Sequence, residues 1–142
     1  MKVQNILRFP AALHRARLAT GLAQKAAALS LGLDQGQFCA VEKGRRPPFA
    51  KIQIELLSEA WQLSTELRDD LQWTSTHDRY LRLAHRSANN DDDLMLLSQT
   101  LRTARQLDPS QKASLLAYLE VTEQGASHVR SLCAFTRKRG TP

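Results

Sequence analysis

Apolar residues in this chain recur at intervals of three and four, and no stretch alternates apolar with polar residues under β-branched enrichment. Such spacing buries one face of a helix and leaves no buried face for a strand, whose side chains alternate every second residue. The predicted fold class is therefore all-α. Glycine and proline then divide the pattern into separate helices. Pro10 suits a first turn, Leu13, Ala16 and Ala19 share a face, and Gly21 is a stop. An Ala-rich second helix is predicted from Gln24 to Leu31, with Gly32 as its left-handed cap. Asp34 caps a third, Gln35 to Lys43, which Gly44 closes; Pro47 and Pro48 forbid immediate continuation.

Beyond the prolines, Ile52, Leu56, Leu57 and Ala60 predict a fourth helix from Ala50 to Gln62. Ser64 and Thr65 offer caps for a longer one carrying Leu67, Leu71, Thr74, Leu81 and Ala84, which ends in the polar stretch Ser87 to Asn90 and reads as a connector. Asp91, Asp92 and Asp93 open a helix with Leu94, Leu97, Leu101 and Ala104 on one stripe. Three contiguous carboxylates with no other ligand nearby fit the positive end of a helix dipole better than a metal site. Asp108-Pro109-Ser110 restarts the chain into a helix with Leu115, Leu116 and Leu119, predicted to end at Gly125 and to form a hairpin with the preceding one. One or two turns are expected over Ser127 to Phe135, and disorder in the tail 136–142.

With 142 residues the chain has room for one domain, or for a small domain followed by an oligomerisation module. Its net charge of +6 calls for an anionic partner, and the distribution says where. Met1 to Lys51 holds nine Lys/Arg against Asp34 and Glu42, a local balance of +7, while the remainder carries −1. The first third is expected to meet the polyanion. The N-terminus has no signal-peptide hydrophobic region, and no run approaches membrane-spanning length, so a cytoplasmic location and no membrane partner are expected. Cys39 and Cys133 are then reduced thiols in or near a core.

The stretch from Leu13 to Pro48 is the informative one. Arg17 stands four residues before Gly21, Gln24 opens helix two, Ala28 is a small residue on it, and Gly32 makes the turn. Phe38 and Val41 follow at apolar spacing, and Glu42-Lys-Gly-Arg45 closes the run. In this order and spacing the segment resembles the Cro/cI-type (XRE) helix-turn-helix family over residues 13–67. The resemblance implies a DNA-binding domain at 1–67; beyond it the residue pattern gives a connector at 68–90, a hairpin at 91–135 whose surplus of leucines is expected to supply a dimer contact, and a basic tail at 136–142. It departs from the family pattern at Gly36, where a side chain is usual, at Ala27, where a larger apolar residue is usual, and at Leu29, where a polar residue is common.

From that resemblance follow the expected roles. The third helix enters the major groove, with Gln35, Gly36, Gln37 and Ala40 on its outer face, and the two glutamines can read adenine through paired hydrogen bonds. Gln24, Lys43, Arg45 and Arg46 are the expected phosphate ligands. Arg17 and Glu42 should form an ion pair that bridges helix one to the end of helix three. The implied function is a sequence-specific transcription regulator, a repressor binding a palindromic operator in double-stranded DNA as a homodimer. The alternative is an antitoxin or adaptor whose C-terminal helices grip another protein. RNA binding is disfavoured because Phe38 reads as core, leaving no aromatic platform for stacking. No catalytic, cofactor or metal constellation is found: His14, His77, His85 and His128 are scattered and read as exposed or partly packed, so no enzymatic activity is expected.

Overall fold

A computed structural model describes residues 3–87 and 90–139, with the backbone alone from 135 to 139. Every regular element among them is helical. A short 3-10 turn, Val3–Asn5, precedes α1 (Phe9–Thr20), α2 (Gln24–Ser30), α3 (Gln35–Glu42), α4 (Lys51–Ala60), α5 (Thr65–His85), α6 (Asp91–Arg105) and α7 (Pro109–Arg139). No helix among the described residues is long and apolar enough to cross a membrane.

The chain divides into two compact units, Met1–Leu101 and Arg102–Pro142. In the first, α1 packs on α3 and α5, α2 on α3, and α4 on α5. Their shared core is built on Phe9, Leu13, Phe38, Ile54, Leu57 and Leu71, with Ala16, Ala27 and Ala28 filling the closest helix approaches. Phe49 sits edge-on to Phe9 at 5.9 Å between ring centroids, and Phe38 lies 6.2 Å from Trp61. Aromatic rings thus join the loop after α3 and the end of α4 to the two central helices.

The expected boundary at residue 67 falls inside this unit. α5 is no connector: Leu71, Thr74, Ser75, His77, Asp78 and Leu81 are buried along it. The buried stripes also differ from those predicted. On α1, Ala19 is exposed and Phe9 and Ala12 are buried in addition to Leu13 and Ala16. On α4, Ile54 and Leu57 face the core, while Ile52 and Leu56 are 67% and 61% exposed and Ala60 is on the surface. Periodicity leaves two apolar faces possible on α4; the aromatic cluster around Trp61 selects one. The other borders a cleft of about 350 Å³ lined by Leu31, Leu33, Phe49 and Leu56.

The helix expected to stop at Gly125 runs on through it to Arg139, taking in residues 127–135 and the first four of the expected tail. No proline lies within the next 16 residues, and a Cβ at Gly125 would meet nothing within 4 Å, so this glycine acts as an ordinary, if weak, helix residue. Cys133 on α7 is exposed, not in or near a core, whereas Cys39 is half-buried; both thiols are free. At the start of α6, the Asp93 N–H donates to the Asn90 side chain, so Asn90 caps the turn that carries the three aspartates.

Candidate nucleic-acid interface

The segment Gln24–Arg46 is held by short-range caps at both ends of α3. At its start Asp34 and Gln37 form a reciprocal capping box: the Gln37 N–H donates to Asp34 Oδ1 at 2.7 Å, and the Asp34 N–H to Gln37 Oε1 at 3.2 Å. The turn before it is a Schellman closure of α2. The Leu33 N–H reaches back to Ala28 O and the Gly32 N–H to Leu29 O, with Gly32 at φ +67°. The same closure ends α3, where Arg45 N–H donates to Ala40 O and Gly44 N–H to Val41 O, with Gly44 at φ +73°. Both glycines stand where a Cβ would be strained.

Glu42, buried at the end of α3, is the hub of the scaffold. Arg17 Nε donates to its Oε1 at 2.8 Å and Gln24 Nε2 to its Oε2 at 2.6 Å, while His14 Nδ1 lies 3.1 Å from Oε1. Arg17 also donates to Leu22 O at 3.0 Å, so one guanidinium ties α1, the α1–α2 loop and α3 together. Burial pushes the Glu42 carboxyl up, but the hydrogen bonds from Arg17, Gln24 and His14 and the Arg17 charge outweigh it and hold its pKa below the ordinary carboxylate value. Glu42 is therefore a charged anchor at neutral pH.

Comparison with protein-family models, with curated proteins and with solved structures finds no match. What this surface can do rests on its geometry.

Along the outer side of α3 and the loop after it, Gln35, Gly36, Lys43, Arg45 and Arg46 are exposed, whereas Gln37 and Ala40 are half-buried. Gln37 spends its side-chain carbonyl on the capping box, which leaves only its amide N–H groups to face outward. Ala40 contributes its carbonyl to the closure of α3, accepting from both Arg45 and Arg46. Gln24, at the start of α2, turns its side-chain amide inward to Glu42. A Cβ at Gly36 would stand 3.2 Å from Asp34 Oδ1, the oxygen that caps the helix, so the missing side chain leaves the cap undisturbed. At the other two departures from the family pattern, Ala27 is fully buried and Leu29 is 69% exposed.

Three residues of α5, two of them without any sign in the sequence, brace this unit from behind the surface. Arg82 on α5 donates to Gly44 O at 2.6 Å and to Arg46 O at 3.1 Å, clamping the loop that carries the exposed cations. One turn earlier on α5, Asp78 accepts the N–H groups of Arg8 and Phe9, both at 2.8 Å, and so caps α1, whose own N-cap residue makes no side-chain cap. His77, expected to be exposed or partly packed, is fully buried: its Nδ1 lies 2.7 Å from Asp78 Oδ1 and its Nε2 2.9 Å from Ser98 Oγ on α6. A serine, a histidine and an aspartate thus stand in line between α5 and α6, all three buried, with Ser98 2% exposed. No local signal marks Arg82 or Asp78, whose partners lie up to 70 positions away.

Proposed function

We propose that this chain is a DNA-binding transcription regulator of the Cro/cI-like helix-turn-helix kind, with α2 and α3 as the two helices of the motif and α3 as the reading helix. The observation that carries the reading is α3 itself: a short helix capped at both ends, locked to α1 and α2 through Glu42, with Gln35 exposed at its start and the cations Lys43, Arg45 and Arg46 exposed just after its end. Base readout needs a rigid helix that offers side-chain amides to the groove, and phosphate binding needs flanking cations. Gln35 is the principal reader and Gln37 reads with its free amide hydrogens. Gly36 and Ala40 let the backbone approach the bases. Gln24 would meet phosphate through the first backbone N–H groups of α2, its side chain being held by Glu42. The protein acts as a repressor, a homodimer on a palindromic operator, in the cytoplasm at the nucleoid, without enzymatic activity or cofactor.

Selection of bound sites from random duplex DNA, followed by mobility shifts on the selected site, tests this. Enrichment of a two-fold symmetric site is the expected result; no shift above that of scrambled DNA at 50 mM salt would remove the reading. The same pool incubated with a lysate pull-down separates it from the adaptor alternative, in which a protein partner is retained and no site is enriched.

A further inference from the structure

α7 spans 31 residues, and nearly all its described side chains are exposed. They are not exposed at random. Leu115, Leu119, Thr122, Ala126, Val129 and Cys133 follow one another at steps of four and three, which on a helix forms one continuous seam with a heptad period, roughly 27 Å long. Tyr118 flanks it on one side; Tyr118 is 68% exposed and Val129 57%. Glu120, Gln124, Ser127 and Ser131 occupy the opposite side. No charged residue interrupts the seam between Leu115 and Cys133.

We propose that α7 pairs with α7 of a second copy of this chain, antiparallel, about a two-fold axis near residues 124–125. This deepens the dimeric part of the function proposed above. A heptad seam is the pattern that matches another helix of the same period, and a two-fold axis makes one surface its own complement. Residue sizes and charges choose the direction and register. With the axis at this point Leu119 meets Val129 of the other copy, Leu115 meets Cys133, and the small residues Thr122, Gly125 and Ala126 lie at the crossing, where backbones come closest. Parallel pairing would instead set Lys112 against Lys112 on the same seam, and would bring together the two basic ends, Arg137, Lys138 and Arg139 of each copy. The antiparallel arrangement separates the two basic ends, and each then lies beside the start of the other α7, where Asp108 and Lys112 balance.

Sedimentation equilibrium of the full chain without DNA tests the pairing separately from DNA reading. A dimer at about 20 µM is expected. Leu119→Glu and Val129→Glu, each placing an unpaired charge in the seam, should raise the dimer Kd about 100-fold or more, while Ala117→Glu on the far side should change it less than about twofold. Far-UV melting of each variant checks that the first unit stays folded. Direction is read by disulfide capture in a Cys39→Ser background: the native Cys133 alone should give no interchain bond, and adding Leu115→Cys should give one under mild oxidant. A monomer at 100 µM, or a dimer indifferent to both seam charges, overturns the proposal and leaves the face to a different partner. Capture through Cys133 alone overturns the antiparallel arrangement.

Discussion

Asp78 Oδ2 accepts the backbone N–H of Phe9 at 2.8 Å, so the first turn of α1 is closed by a carboxylate 69 residues away. The same side chain holds His77 and, through it, Ser98 on α6. One buried side chain therefore joins the beginning of the first unit to its end. Asp78→Ala should lower stability by about 3 kcal/mol, from the missing cap and the stranded histidine together. Asp78→Asn, whose amide oxygen still accepts, should lose less. Urea unfolding followed by circular dichroism measures both, and a loss under about 1 kcal/mol for the alanine variant would contradict the joint role.

The first half of α6 belongs to the same unit, since Leu94 and Ser98 are both 2% exposed. Ser98→Ala should cost about 1–3 kcal/mol by leaving His77 Nε2 buried without a partner. Leu94→Ala should cost about 2–5 kcal/mol through the cavity it opens. A chain cut at residue 88 lacks both side chains, so it should melt well below the full protein, whereas one cut after Leu101 should not.

Glu42 gives the scaffold an acid limit. Its folded pKa is held below the reference value of 4.5, so the stabilisation it supplies is complete above that range and is lost as pH falls through the folded value. Between pH 5 and pH 3 the wild type should therefore lose more stability than Glu42→Gln, which has no proton to gain. At neutral pH the variant should be the less stable of the two. Parallel slopes for the two proteins would show that the Arg17–Glu42–Gln24 cluster does not couple to folding.

The two left-handed glycines that flank α3 should respond differently to alanine. At Gly32 a Cβ meets nothing within 4 Å, so Gly32→Ala carries backbone strain alone, about 1–2 kcal/mol. At Gly44 the same atom would stand 3.2 Å from Pro10 Cγ and 3.4 Å from Leu7 Cδ1, adding a clash between α1 and the end of α3. Gly44→Ala should be the more destabilising in a side-by-side thermal melt, and a reversed order would refute the packing account.

On DNA, Lys43→Ala, Arg45→Ala and Arg46→Ala should weaken binding to all sequences alike, each lowering the salt slope by about one for every phosphate left without its cation. Gln35→Ala should cost about 1–3 kcal/mol on the selected site and leave random DNA nearly unaffected. Titrations at three salt concentrations on both duplexes distinguish the two classes, and equal weakening on both for the Gln35 variant would deny it a reading role.

Most of the first unit's local structure is legible in the sequence. Pro10, Gly21, Gly32, Asp34, Gly44 and Ser64 act on neighbours within four residues, and the helices begin and end within two residues of where these place them. Arg17 and Glu42, set at bridging positions by the family resemblance, lie 2.8 Å apart. The resemblance also names Gln35 and Gln37 together, but a capping box takes the carbonyl of the second and leaves the first as the freer side chain.

The sequence alone thus determined the all-helical class, the turns around α3 and the concentration of positive charge there, because each depends on residues close along the chain or on simple composition. Only the tertiary structure decided that α5 belongs to the core, that Ile54 and not Ile52 is buried, and that His77 lies sealed between Asp78 and Ser98. Helical periodicity says that a face must be covered but not by what. That choice is made by interactions across tens of residues, in which Asp78 finds the open end of α1 and Arg82 the open end of α3.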